Sequence, residues 1–124
     1  MSAFKRVVPY AADALDLPVR NVDEAAPHYV SRLGFQLVSR VDTPRKGVIL
    51  ERDSVRIALV ENGRDPEQEG AYLEVDDVEA VFEEINGRSP TDKDIALQNN
   101  KGRSQRVFFH IAPDGLCFMI GEQA

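Results

Sequence analysis

The sequence predicts an α+β fold built from two copies of one unit: a strand, an amphipathic helix and three further strands. Gly70 to Ile85 reads GAYLEVDDVEAVFEEI. Ala71, Leu73 and Val75 alternate there with Gly70, Tyr72 and Glu74, and Val78, Val81, Phe82 and Ile85 follow at helical spacing. Asp77 sits at the junction, where a side-chain oxygen accepts a backbone N–H as a helix N-cap. The same arrangement occurs earlier. Leu15, Leu17 and Val19 alternate with Asp16 and Pro18, and Val19-Arg20-Asn21-Val22-Asp23 parallels Val75-Asp76-Asp77-Val78-Glu79, 56 positions on. In a chain of 124 residues that offset is close to half the length, which marks a duplicated unit rather than a solenoid of many repeats.

In chain order, residues 1–13 carry Phe4, Val7, Val8 and Tyr10, too apolar for a free tail, and are expected to pack, with a dimer partner as one possible surface. The first strand is expected over about Ala14 to Val19. A helix capped by Asn21 or Asp23 follows to about Arg32, with Pro27 tolerable only near its first turn and Gly34 as C-cap. Three strands are predicted next, at Gln36–Val41, Gly47–Arg52 and Val55–Glu61, the last two joined by a tight turn at Arg52-Asp53-Ser54. Asn62 to Glu69 reads as a linker. After the second strand and helix, Asn86-Gly87 stops the helix. Weak strand character at Ile95–Gln98 precedes a polar run, Asn99 to Ser104, expected to form a mobile flap. Strands at Arg106–Ile111 and Leu116–Gly121, joined by the turn Ala112-Pro113-Asp114-Gly115, complete the second unit. The whole chain, 1–124, is expected to form one domain, with module one over about 14–61 and module two over about 70–122.

Composition narrows the function classes. The chain is 43% hydrophobic and 29% charged with a net charge of −6, as in ordinary soluble globular proteins. That acidity argues against a nucleic-acid partner, whose recognition rests on basic patches. No apolar run is long enough to span a bilayer, so no membrane partner is expected and a cytoplasmic location is the default reading. Cys117 is the single cysteine, which excludes an internal disulfide, and no Cys/His spacing of a structural zinc site is present.

The combination of V-x-N-V-D (Val19 to Asp23), Y-x-x-x-L-G-F (Tyr29, Leu33, Gly34, Phe35), L-E-V-D-D-V (Leu73 to Val78) and F-x-x-x-P-D-G (Phe109 to Gly115) resembles the vicinal oxygen chelate superfamily. That group includes glyoxalase I, extradiol dioxygenases, fosfomycin-type thiol transferases and bleomycin resistance proteins. The resemblance runs from about Leu15 to Glu122. It implies two βαβββ modules forming a curved mixed sheet around a cavity, completed in many small members by a second chain, so a homodimer is expected. It also implies four metal-ligand positions in the metal-dependent enzymes, which fall here on Ala14, Ala58, Gly70 and Met119. Methyl groups, an absent side chain and a thioether do not supply the hard donors such an ion needs. No metal and no cofactor are therefore expected.

Strand alternation leaves Asp16, Arg56, Tyr72, Glu74, Cys117 and Met119 as candidate cavity lining, with Phe108 and His110 added if the Arg106–Ile111 strand has that register. Small residues at Ala14, Ala58 and Gly70 widen the cavity, and two carboxylates with aromatic surface suit a small organic ligand bearing an amine or a cation. Each residue has a plainer reading. Asp16 and Glu74 are equally read as solvated charges, Arg56 is read first as the partner of Glu74 across the sheet, Tyr72 as a buried tyrosine, His28 as a packing residue and Cys117 as an apolar filler. The leading expectation is a metal-free, dimeric binding protein that sequesters a small organic molecule, as the bleomycin resistance proteins do. The alternatives are an enzyme of the same superfamily using Asp16, Glu74, Tyr72 or His110 as acid/base groups, or recruiting an ion through Asp16 and Glu74, and a regulatory interaction module.

Overall fold

The computed structural model describes residues 3–9, 13–100 and 103–123. Tyr10 and the centre of the expected flap, Lys101 and Gly102, lie outside them. In chain order the elements are β1 (Phe4–Pro9), β2 (Leu17–Pro18), α1 (Val22–Ser31), β3 (Gln36–Val41), β4 (Gly47–Arg52), β5 (Val55–Val60), a 3-10 turn (Pro66–Gln68), β6 (Gly70–Val75), α2 (Val78–Asn86), β7 (Ala96–Asn100), β8 (Arg103–Ile111) and β9 (Cys117–Gln123).

The duplication is visible in the strand order. One sheet runs β2-β5-β4-β3 and the other β6-β9-β8-β7, each with its first strand parallel to its last and the remaining pairs antiparallel. β1 is added at the free edge of β6, antiparallel to it. The apolar N-terminal segment thus packs on its own chain, where Phe4 is fully buried, edge-on to Phe35 and under the Arg52 guanidinium.

The two helix starts repeat each other residue for residue. Asn21 accepts the amide N–H groups of Asp23 and Glu24, and Asp77, at the equivalent position, accepts that of Ala80. A glutamate from the end of each module's last strand completes the cap: Glu61 accepts the Val22 N–H at 3.0 Å and Glu122 accepts the Val78 N–H at 2.9 Å. These first-turn amides have no partner inside the helix, and the carboxylates also meet the positive end of the helix dipole. α2 ends at Gly87, which takes a left-handed φ of 71°.

Four local expectations change. The first strand shrinks to Leu17–Pro18, because Asp13 to Asp16 forms a turn closed by Asp16 N–H on the Asp13 carbonyl. Pro27 lies inside α1 rather than in its first turn; the helix continues past it, and the Ser31 hydroxyl donates to the Pro27 carbonyl. α1 is capped at Arg32 in a right-handed conformation, and the left-handed residue, Gly34, comes two positions later, where the Phe35 N–H returns to the Tyr29 carbonyl. Asn99, Asn100, Arg103 and Ser104 belong to the paired strands β7 and β8, with the Ser104 hydroxyl donating to Asn99, so these four residues of the polar run are strand and not free flap.

Both helices and the inner faces of both sheets feed one apolar core. Tyr29 of α1 meets Phe118 of β9 edge-on, Phe82 of α2 meets Phe108 of β8, and Arg32 donates to the Ile85 carbonyl of α2. Arg52 ties β4 to α2 through a two-point pair with Glu84. The helices therefore take up the inner sheet faces, and the opposite faces are left outward.

Candidate functional site

The outward face of the second sheet is set by register. Val8, Tyr72, Met119 and Phe109 form one cross-strand row; Arg6, Glu74, Gly121 and Val107 form the next; Gly70, Cys117 and Ile111 form a third. Ala71, Leu73, Val75, Phe118 and Ile120 point the other way into the core. On the outward face Phe109 and Ile111 are 57% and 68% exposed, a large apolar surface for strand positions in the middle of a chain. Gly121 is what allows Tyr72 to lie across β9: a Cβ there would come within 3.3 Å of the tyrosine ring and 2.7 Å of Val107.

Polar groups are fixed among these apolar ones. The Tyr72 hydroxyl donates to Gln105 Oε1 at 3.0 Å, a buried bond that leaves the Gln105 amide nitrogen as the donor end. Burial, and then the nearby Glu74 carboxylate, raise the Tyr72 pKa, so its hydroxyl stays protonated. Glu74 accepts from Arg6 Nε at 3.1 Å, and Gln123 reaches the same carboxylate. Apolar and aromatic surface with a few converging polar groups is the composition of small-molecule sites.

Four of the sequence-predicted residues, Tyr72, Glu74, Cys117 and Met119, are brought together on this face. The other four are not. Phe108 and His110 point to the helix side, Phe108 against Phe82 and His110 against His28, because β8 pairs Phe108 with Ile120 and His110 with Phe118. Arg56 lies on the first sheet and pairs with Glu51 at 2.8 Å, its neighbour across β4 and β5, so its expected pairing with Glu74 is replaced on both sides. Asp16 is held by the Asn62 amide at 3.0 Å and by Arg64 at 2.9 Å. These contacts hold its pKa below the ordinary aspartate value, which suits a structural anion and not a general base. Arg6, Gln105, Val107, Phe109 and Ile111 were missed. The alternation of Val107, Phe109 and Ile111 was legible, but Phe108 makes the opposite face of β8 equally apolar.

The four positions of the superfamily's metal chelate do not fit an ion here. Ala14 and Ala58 are joined only through the backbone, and Met119 offers a thioether. At Gly70 a Cβ would stand 1.8 Å from the Cys117 carbonyl oxygen, so this backbone leaves no room for any liganding side chain. Among the described residues no three His, Cys, Asp or Glu side chains are grouped to hold a metal. Glu61, another carboxylate near the first module's end, is engaged in capping α1.

Two sheets of matching strand order, each with one helix on its inner face, define a class of protein, and comparison with known proteins identifies it. The profile of the Glyoxalase/Bleomycin resistance protein/Dioxygenase superfamily matches residues 11–115, and the chain belongs to that superfamily. Solved structures agree on the fold. A glyoxalase/bleomycin resistance protein/dioxygenase from Alicyclobacillus acidocaldarius is 19% identical, with 92% of each chain covered and a TM-score of 0.68. The bleomycin resistance determinant encoded on transposon Tn5 is 23% identical, with 90% of this chain and 97% of that one covered and a TM-score of 0.62. A glyoxalase I mutant from Zea mays is 15% identical over 86% of this chain but only 44% of its own length, with a TM-score of 0.54. No curated protein matches the sequence. Among the described residues no helix is long and apolar enough to cross a membrane.

Proposed function

We propose that this chain is a metal-independent binding protein that holds a small organic molecule on the outward face of its second sheet, closed over by a second copy of the chain. The observation that carries the reading is the juxtaposition on one face of Tyr72, Met119 and Phe109 with the Glu74–Arg6 pair and the Gln105 amide. An apolar or aromatic body would lie against the first group, and a polar or amine-bearing end would meet the second. Arg6 offsets part of the Glu74 charge, so the face favours a ligand of mixed character over a strongly cationic one. The misfit of the chelate positions supports binding without Lewis-acid chemistry. Likeness to the transposon-encoded determinant makes bleomycin the first probe, as a family analogy.

The test is calorimetric titration of the chelator-treated protein with bleomycin and with a panel of aromatic amines, followed by mass spectrometry of the recovered ligand. Saturable binding with the ligand returned unchanged, and weakened at least tenfold by Phe109→Ser, is the expected outcome. Turnover of the ligand, or binding that appears only after metal is added, would favour the enzyme reading. Sedimentation velocity checks the dimer.

A further inference from the structure

His28 of α1 and His110 of β8 approach with Nε2 atoms 2.8 Å apart, across the contact between the first module's helix and the second module's sheet. Their ring planes differ by 7° and their centroids are 5.1 Å apart. That separation exceeds the nitrogen gap by two ring radii, the largest value such a contact allows. The rings therefore meet nitrogen to nitrogen within one plane, not face to face. A single proton fits in the gap, donated by one ring and accepted by the other.

This geometry counts protons. The neutral pair holds one proton in the gap and one on a remote Nδ1. A first added proton goes to the other Nδ1, keeping the bond and strengthening it by charge. A second must enter the gap, where two N–H groups would oppose each other and two positive charges would adjoin. The surroundings decide how many charges are tolerated. On α1, Arg32 lies one turn after His28 and opposes charge on both rings, and Glu24 lies one turn before it. From the β8–β9 turn Asp114 favours charge on His28, while accepting the Tyr29 hydroxyl at 3.0 Å and the Leu116 N–H. Phe118 is His110's cross-strand neighbour, and α2 contributes the Ile85 carbonyl, which accepts from Arg32.

We infer that the His28–His110 pair is a proton-operated latch between the two modules, closed with no added proton or one and opened by the second. Phe109 and Ile111, on either side of His110, point to the outward face, so opening the latch also loosens the strand that carries the proposed ligand surface. That consequence rests on the ligand reading; the latch does not.

The test is a pH titration of the histidine ring C–H resonances by NMR, with amide hydrogen exchange of α1, β8 and β9, on the wild type, His28→Gln and His110→Gln. The wild type is expected to show two separated steps, and exchange at Tyr29, His110 and Phe118 at least tenfold faster once the lower step is passed. In either Gln variant the remaining histidine titrates in one step, and that acceleration is lost at the same pH. Overlapping single-site titrations, unchanged exchange through the lower step, or the same acceleration in both variants would overturn the latch. Bleomycin binding measured on either side of the lower step is a separate readout: its absence at every pH counts against the ligand reading, and affinity unchanged across a step that does open the latch refutes the coupling.

Discussion

Gly70 and Cys117 face each other across the parallel β6–β9 ladder so closely that a Cβ on Gly70 would stand 1.8 Å from the Cys117 carbonyl oxygen. The position where the superfamily's enzymes carry a metal ligand is thus a backbone contact in this chain. Gly70→Ala must push β6 from β9, and a loss of about 3 kcal/mol or more is expected from overpacking and the broken ladder. Urea unfolding followed by circular dichroism checks it; a change below about 1 kcal/mol would contradict the packing described.

Tyr72→Phe removes the donor to Gln105 Oε1 and leaves a buried amide oxygen unpaired. The expected cost is about 1 to 3 kcal/mol of stability. The double variant Tyr72→Phe with Gln105→Leu should recover most of it, since no orphaned group remains. Denaturation midpoints of the three proteins decide this.

Glu69 is a buried carboxylate answered by two bonds from Arg64, at 2.7 and 3.1 Å, and Arg64 also binds Asp16. Through its bond to Asp16, Arg64 fastens the linker to the turn before β2. Arg64→Ala should cost about 2 to 4 kcal/mol, because it strands a buried charge, whereas removing one of the exposed pairs, such as Arg20 with Asp65, should cost under about 1 kcal/mol. Equal effects on the urea midpoint would contradict the difference in burial.

Stability should fall as the pH drops from about 6.5 towards 4. Burial, then the neighbouring His28 and Arg32 charges, hold the His110 pKa down at about 4, against 6.5 in the unfolded chain, so between these values the unfolded state binds more protons. Asp114 works in the opposite sense. Burial raises its pKa, so its contribution is present below the ordinary aspartate value and lost as the pH rises through the folded one. Urea midpoints at pH 7.5, 6 and 4.5 should decline in that order, and His110→Gln should flatten the decline.

Much of the fold was legible because the signals were local. Asn21 and Asp77 announce their helices by side-chain chemistry within three residues, and apart from β1, which was not read as a strand, and the shortened β2, the strands fall close to where alternation and turn residues put them. The sides of the strands were harder to read. β8 carries apolar residues on both faces, so only its pairing with β9 shows that Phe108 and His110 turn inward while Phe109 and Ile111 turn out. Contacts between residues far apart in the chain were silent altogether. Glu74 meets Arg6 because β1 crosses to the second sheet, and His28 meets His110 because α1 packs on the other module's strand; neither follows from any periodicity.

The most direct measurement is the metal content of protein purified without an affinity tag, by elemental analysis before and after exposure to nickel, zinc, manganese and iron. Far less than one ion per chain is expected in every case, because the chelate positions offer Ala14, Ala58, Gly70 and Met119. One tightly held ion per chain, lost on mutation of Glu74 or Asp16, would contradict metal-independent binding and return the chain to the enzymes of its superfamily.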